Sequence, residues 1–401
     1  MHDVVVLGAG PAGNIAALRL SEMGHDVAVL DWRHNLGDKL CTGIIGRECF
    51  ERFRPDSEHV LHEARSVRVF GPSGANYTVQ REQPEAYVID RVAFVASLAR
   101  RAAVAGATFA LGEKVVDIRN TEEGLEVDTV GRDGGRSHSA KALIVATGFG
   151  TPLLNMVGLS AGASLRYMVG SQAKVATSGL GETEVYLGSA IALGSFGWLV
   201  PLSASTALAG IVSQAPSNGH ISKFLSFLGD SGKIDSVIDQ PRRWGIPIEP
   251  LAKTFRERVL VAGDAAGLAK PTTGGGIYYS LLSGEIAAEV MGDAIAAADL
   301  SAGRLEEYET RWKTVFGKEL DVGYFARRLF ESLDDGQIDH LLEALASTDV
   351  HRDLFSSRVF AFDWHSRVIL KALGHRGLAS FLRSIGPLLT PFLSRLARRA
   401  E

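Results

Sequence analysis

The N-terminal stretch DVVVLGAGPAGNIAALRLSEMGHDVAVLD, Asp3 to Asp31, decides the fold. Val4 to Leu7 is a short apolar run, Ile15 to Met23 carries apolar residues at helical spacing, and Asp26 to Leu30 returns to strand. Between the first strand and the helix stand Gly8, Gly10 and Gly13. At that spacing the first glycine makes a tight turn, the second lets backbone approach a pyrophosphate, and the third lets helix pack on strand. The segment Gly10, Pro11, Ala12, Gly13 is therefore the expected pyrophosphate seat. Asp31 ends the second strand, placed to accept hydrogen bonds from a ribose. The expected fold class is α/β, with a Rossmann-like βαβ nucleotide-binding domain.

This fingerprint alone does not separate NAD from FAD. A second glycine-rich site far down the chain does, because a simple NAD dehydrogenase has no use for one. In VLVAGDAAGLAKPTTGGGIYYS, Val259 to Ser280, four strand-like residues lead into Gly263 and Asp264, then a Lys-Pro-Thr-Thr turn and three consecutive glycines. Asp264 has two readings, an acceptor for the hydroxyls of a ribityl chain or a helix N-cap. One extended FAD joins the two regions, with adenosine at Asp31, pyrophosphate over residues 10–13 and ribityl chain at Asp264. The flavin ring then falls near Pro271, Thr273, Gly274, Gly275 and Gly276. A helix beginning at Gly276 and Ile277 would turn its N–H groups and positive dipole end toward the electron-rich reduced ring.

Composition limits the alternatives. The 401 residues are 46% hydrophobic and 22% charged, as in ordinary folded proteins, and the net charge of -4 with no basic stripe argues against nucleic acid. Two cysteines, Cys41 and Cys49, are too few for a disulfide framework or a cysteine-ligated iron–sulfur cluster, so no metal site is expected and a reducing cytoplasm is the simplest compartment. The N-terminus enters an apolar run at once and reads as mature protein beginning in a strand. Val185 to Gly219 contains no Asp, Glu, Lys or Arg, yet Gly188, Gly194, Gly197, Pro201 and Gly210 interrupt it, which suits short buried strands better than a membrane-spanning helix.

Several motifs match known flavoproteins. GAGPAG, YVIDRVAF at Tyr87 to Phe94, ALIVATG at Ala142 to Gly148 and GDAAGLAKPTTGGGI resemble the p-hydroxybenzoate-hydroxylase-like fold. KPTTGGGI, CTG at Cys41 to Gly43 and FGWLVP at Phe196 to Pro201 resemble the geranylgeranyl reductase family. The resemblance runs from residue 1 to about 325, including YETRW at Tyr308 to Trp312. It implies FAD contacts at Trp32, Cys41, Thr42, Gly43, Arg91 and Gly148 besides the residues above, with Arg91 near the pyrophosphate. On the residues alone, a surface salt bridge at a helix start is the other reading of Arg91. Phe196, Trp198 and Pro201 are implied to touch substrate, although Val200 replaces a phenylalanine usual in the family signature.

The remaining segments suit a sheet domain inserted between FAD-binding pieces. Ser66 to Gln80 reads as a hairpin turning at Gly71 to Gly74, and Val185 to Val212 as further strands. The expected division is an FAD domain of residues 1–65, 88–150 and 245–300, an antiparallel-sheet substrate domain of 66–87 and 151–244, and a helical C-terminal region of 301–401. An uncharged sheet suits a long apolar substrate, because each buried charge would have a large desolvation cost; plain core is the other reading. Cys41 is the candidate proton donor or substrate contact, although a buried cysteine is more often a small hydrophobe. From His365 to Arg399 seven basic residues and no acid are interleaved with leucines and phenylalanines. That pattern fits peripheral contact with the inner face of a membrane, or helices packed on their own protein.

The activity implied is FAD-dependent saturation of isoprenoid carbon–carbon double bonds, with NAD(P)H or a reduced carrier such as ferredoxin as electron source. An aromatic hydroxylase or other monooxygenase of the same fold is the alternative enzyme. A membrane-associated flavin-binding protein without catalysis is the alternative outside enzymes.

Overall fold

The apolar run at residues 4–7 becomes the strand His2–Leu7 in a computed structural model that describes residues 1–37, 39–159, 166–214, 218–355 and 359–390. It pairs in parallel with Val27–Asp31 on one side and Gly134–Val145 on the other, with Val4 opposite Val27 and Ala142. The sheet continues to Thr108–Leu111 at one end and through Val259–Val261 to Phe255–Arg256 at the other. All five residues of Val27–Asp31 are buried, which explains an uninterrupted apolar run where a half-exposed strand would alternate. An antiparallel pair, Lys114–Asn120 and Leu125–Gly131, extends the sheet from Gly134–Val145.

Two glycines make the first turn and its helix fit. Gly8 has φ 105°, and a methyl group there would stand 2.5 Å from the Ala146 carbonyl oxygen. A methyl group on Gly13 would lie 1.8 Å from the Gly8 carbonyl oxygen, the close helix–strand packing expected of the third fingerprint glycine. The helix Pro11–Glu22 then packs against Arg91–Val104 and Ile277–Ala296. The last of these is buried almost all round and so lacks the one-sided pattern of a surface helix.

The chain divides into two compact units: Met1–Lys39, Asp90–Arg166 and Ile246–Leu320 form the first, and Leu40–Ile89, Tyr167–Gly245 and Asp321–Glu401 the second. This differs from the three-part division expected from sequence. Residues 40–65 join the second unit because Ile44–Gly46 and Val60–Ala64 flank Ala86–Ile89 in a three-stranded sheet. Residues 301–320 join the first, where Ala302–Trp312 docks by its Tyr308 hydroxyl, which donates to the Val261 carbonyl at 2.8 Å, and its Trp312 indole, which donates to Thr254 Oγ1 at 3.0 Å. Residues 321–401 belong to the second unit; there the buried Asp363 accepts from the Gly46 and Cys49 amides, each at 3.1 Å.

The second unit is built on a seven-stranded path from Ser236–Val237 through Tyr167–Ala176, Thr206–Ser213, Phe196–Pro201, Thr183–Leu187 and Ser66–Phe70 to Asn76–Gln80. The hairpin of Ser66–Phe70 and Asn76–Gln80 forms with Gly71 and Gly74 at its turn. One pair departs from the expected antiparallel order: Thr183–Leu187 runs parallel to Ser66–Phe70, since the two come from distant chain segments and no hairpin links them. The helix Asn218–Asp230 covers one face, where Ile221, Phe224 and Leu228 meet Ala173, Tyr186, Leu199, Ala209 and Ile211. No helix among the described residues is long and apolar enough to cross a membrane.

The C-terminal helices use their apolar residues internally. Phe381, Ile385 and Leu389 form a buried cluster with Phe325, joined by Leu373, Leu382 and Leu388, while Leu378 packs with Val350 and Leu354. Asp334 and Gln337 start Asp335–Ala346 with a reciprocal capping box. Phe392, Arg395, Leu396, Arg398 and Arg399 lie outside the described residues.

Candidate functional site

In the first unit, residues far apart in sequence close into a ring around the start of Pro11–Glu22. Gly8 rests on Ala146 and Thr147. The next residue, Gly148, at φ 81°, lies so that a methyl group on it would be 3.8 Å from Lys39 Nζ. Lys39 Nζ donates to Asp264 Oδ2 at 2.5 Å. The other oxygen, Asp264 Oδ1, is turned toward Gly276, where an added methyl would be 2.6 Å away. Gly263 completes the circuit, with its own hypothetical methyl 3.0 Å from Ala12 Cβ. Gly8, Ala12, Gly148, Gly263, Asp264 and Gly276 are thus brought together.

The ring fits a dinucleotide on observations of its own. Pro11–Glu22 and Ile277–Ala296 both begin at a glycine, without a side-chain cap and without an acid in the first turn. Each N-terminus presents roughly half a positive charge, and proline at the first helical position costs no hydrogen bond. An added methyl on Gly10 would meet nothing within 4 Å, so the open space beside this turn can take a phosphate. Two buried acceptors on the ring, Asp264 Oδ1 and Thr147 Oγ1, have no partner among the described residues. Buried oxygens of this kind call for donors, which polyol hydroxyls supply.

Asp31 is buried and accepts from the Ala9 amide through Oδ2 and the Arg33 amide through Oδ1, both at 2.8 Å. Each carboxylate oxygen has a second lone pair, which leaves capacity for ribose hydroxyls. Trp32 beside it is 59% exposed, an indole held under the Arg33 guanidinium. Asp264 is not a helix cap: it sits inside the short turn Gly263–Ala266, and its carboxylate faces Lys39 and Gly276. Arg91 is not a surface salt bridge either. It is buried, and its Nη1 donates to the Gly37 and Lys39 carbonyls at 2.7 and 2.8 Å, so it pins the loop that carries Lys39.

The Lys-Pro-Thr-Thr-Gly-Gly-Gly run folds back on itself. The Gly274 amide donates to the Lys270 carbonyl at 2.8 Å and the Lys270 amide to the Gly275 carbonyl at 3.1 Å, with Gly274 at φ 76°. Pro271 is buried, Thr273 is exposed, and Gly274, Gly275 and Gly276 are half-exposed, which leaves bare backbone open just before Ile277. The strand leading to Gly263 is fixed from behind by Tyr308, a hydroxyl whose burial raises its pKa far above the usual phenolic range. Ser283 Oγ accepts from the Gly263 amide at 3.0 Å. Burial alone would raise Glu309, but the Lys313 ammonium and the Thr254 amide and hydroxyl outweigh it and hold its carboxyl below the ordinary value. Sequence reading passed over Lys39, Tyr308, Glu309 and Ser283. Only YETRW carried a signal, and it marks the support of the site.

Cys41, Thr42 and Gly43 belong to the second unit, where the Thr42 hydroxyl donates to the buried Gln172 Oε1 at 2.7 Å and the Gly43 carbonyl accepts from Ile89 at 2.9 Å. Cys41 is half-buried, and its Sγ accepts from the Gly43 amide at 3.4 Å. Gln172 stands opposite Gly210, which stands opposite Trp198, so one row across three strands joins Thr42 to Trp198. Cross-strand partners share a face, and Phe196 lies on that face by its two-residue spacing. Pro201, odd where they are even, falls on the opposite face and is separated from its two expected companions. Trp244, which the sequence did not single out, takes part: Trp198 and Trp244 pack edge to face, with centroids 6.4 Å apart. Glycine makes room for each indole, since methyl groups on Gly210 and Gly170 would stand 2.3 and 2.5 Å from them.

Comparison with known proteins gives the family. Residues 2–182 match the family model described as pyridine nucleotide-disulphide oxidoreductase. The digeranylgeranylglycerophospholipid reductase of Methanocaldococcus jannaschii is 30% identical over 87% of this chain and 91% of its own. That of Methanoculleus marisnigri is 29% identical over the same shares. A geranylgeranyl bacteriochlorophyll reductase-like protein from Thermoplasma acidophilum has the same fold, with a TM-score of 0.85 at 23% identity over 96% of this chain and 99% of that one. With identity of this order over 87% of its length, the chain belongs to the geranylgeranyl reductase family of FAD-dependent oxidoreductases, that of the digeranylgeranylglycerophospholipid reductases.

Proposed function

We propose that the protein saturates carbon–carbon double bonds in the prenyl chains of a lipid or related isoprenoid. The observation that carries this reading is the 30% identity, along 91% of its length, to a digeranylgeranylglycerophospholipid reductase. Reduced FAD supplies the hydride in such a reaction. The chain's own residues have the remaining work. The uncapped start of Pro11–Glu22 holds the diphosphate, Asp31 the ribose, and Asp264 the ribityl hydroxyls. The face bearing Phe196, Trp198 and Trp244 offers an apolar wall that orients an alkene and excludes water. Cys41, in the loop that Thr42 ties to Gln172, is the group assigned to give the proton that balances the hydride.

Electrons come from NAD(P)H docking transiently, or from a reduced carrier such as ferredoxin, since the single fingerprint is taken by FAD. We place the enzyme in the cytoplasm, a setting supported by two free cysteines. Contact with the inner face of the membrane would rest on Arg367, Lys371, Arg376 and Arg383, because the described apolar residues of that segment pack inward. Mass spectrometry of lipids from cells with and without the protein tests the activity. Accumulation of prenyl chains two hydrogens lighter per lost reduction is expected in its absence; identical lipid profiles would refute the proposal.

A further inference from the structure

Arg91 was the sequence's candidate cation for the FAD diphosphate, yet its Nη1 is engaged by two backbone carbonyls. A doubly negative diphosphate beside one helix N-terminus, worth roughly half a charge, leaves a need for a further cation. The ring contains one in Lys39. Its side chain is 30% exposed and its ammonium stands beside Gly148, and Gly148 follows the Thr147 on which Gly8 rests. Its carboxylate partner, Asp264, is the acceptor expected to serve the ribityl hydroxyls. The Arg91 hydrogen bond to Lys39's own carbonyl fixes where the side chain begins.

Resting on the FAD reading above, we infer that Lys39 is a cofactor-binding residue that exchanges partners. Without flavin its ammonium neutralises Asp264. With FAD in place it turns to the diphosphate and releases Asp264 Oδ2 to join Oδ1 as an acceptor for the ribityl hydroxyls. The exchange replaces one charge-assisted hydrogen bond of Lys39 by another, and the Asp264 carboxylate takes hydroxyl donors in place of the ammonium. A lysine suits this better than an arginine, being a compact charge on a flexible stem that can swing between two acceptors. Arg91 then acts as a positioning residue, holding the loop from which Lys39 reaches.

The test is FAD binding to the flavin-free full-length chain, read by quenching of flavin fluorescence at low and high salt for wild type, Lys39→Met and Lys39→Arg. Lys39→Met is expected to weaken FAD by about 10- to 100-fold at low salt, the equivalent of one charge-assisted bond. The deficit should shrink as salt rises, because the lost attraction is electrostatic. Lys39→Arg should recover most of the affinity. Unchanged FAD affinity in Lys39→Met, or a deficit equal at all salt concentrations, would overturn the assignment, the latter by reducing Lys39 to a structural partner of Asp264. A wild-type chain that takes up no FAD would overturn the cofactor reading itself.

Discussion

Gly284 lies inside the helix Ile277–Ala296, where alanine should be the better residue. Intrinsic propensity alone says that Gly284→Ala stabilises the protein by about 0.8–1.0 kcal/mol. The packing says the reverse. A methyl group on Gly284 would be 2.4 Å from the Ala12 carbonyl oxygen and 2.5 Å from Ile15 Cγ2. Ordinary contact begins near 3.4 Å, so the two helices must part by about 1 Å. Ile15 gives little relief, since a β-branched residue has essentially one rotamer in a helix. Overpacking of this kind costs about 1–3 kcal/mol, which offsets the propensity gain and leaves a net loss of about 0–2 kcal/mol, toward the upper end because two close contacts are made at once. The same displacement moves Ala12 away from Gly263 and should weaken FAD binding as well. Urea unfolding of the flavin-free chain measures the first effect and flavin titration the second. A lower midpoint at unchanged slope is expected; a midpoint equal to or above wild type would refute the packing argument and show that the helices separate freely.

Cys41→Ala should leave FAD bound and impair turnover. Stopped-flow reoxidation of the reduced enzyme by a prenyl substrate measures it, and rates equal to wild type would remove Cys41 from the mechanism. Glu309→Gln tests the support behind Gly263. The folded-state pKa of Glu309 is depressed, so its ionised form stabilises the fold above the unfolded value near 4.5, and that contribution is lost as pH falls through the depressed folded value. Unfolding midpoints of wild type and Glu309→Gln should therefore differ at neutral pH and converge in acid; a gap that persists below the carboxylate range would count against this ionisation.

The parts of the molecule legible in the sequence are those where one residue type answers one local demand. Gly8 needs positive φ, and Gly13 must admit the Gly8 carbonyl; both demands are met within a few residues, so spacing alone exposes them. Lys39 answers a demand set by Asp264, which is remote in the chain, and a lysine in a polar loop looks like any solvated charge. Arg91 was noticed for its place at a helix start, whereas its hydrogen bonds to residues 37 and 39 depend on how a loop far upstream folds. The YETRW run was legible as a signature but not as a function, because Tyr308 and Trp312 act on Val261 and Thr254, one layer behind the glycines they support. The trio Phe196, Trp198 and Pro201 shows the opposite failure. A shared motif suggested a shared role, but strand alternation sends Pro201 to the other face, while Trp244 joins from outside the motif. Sequence spacing therefore marks the backbone-built half of the site, and the side-chain-built half emerges only when remote partners are brought together.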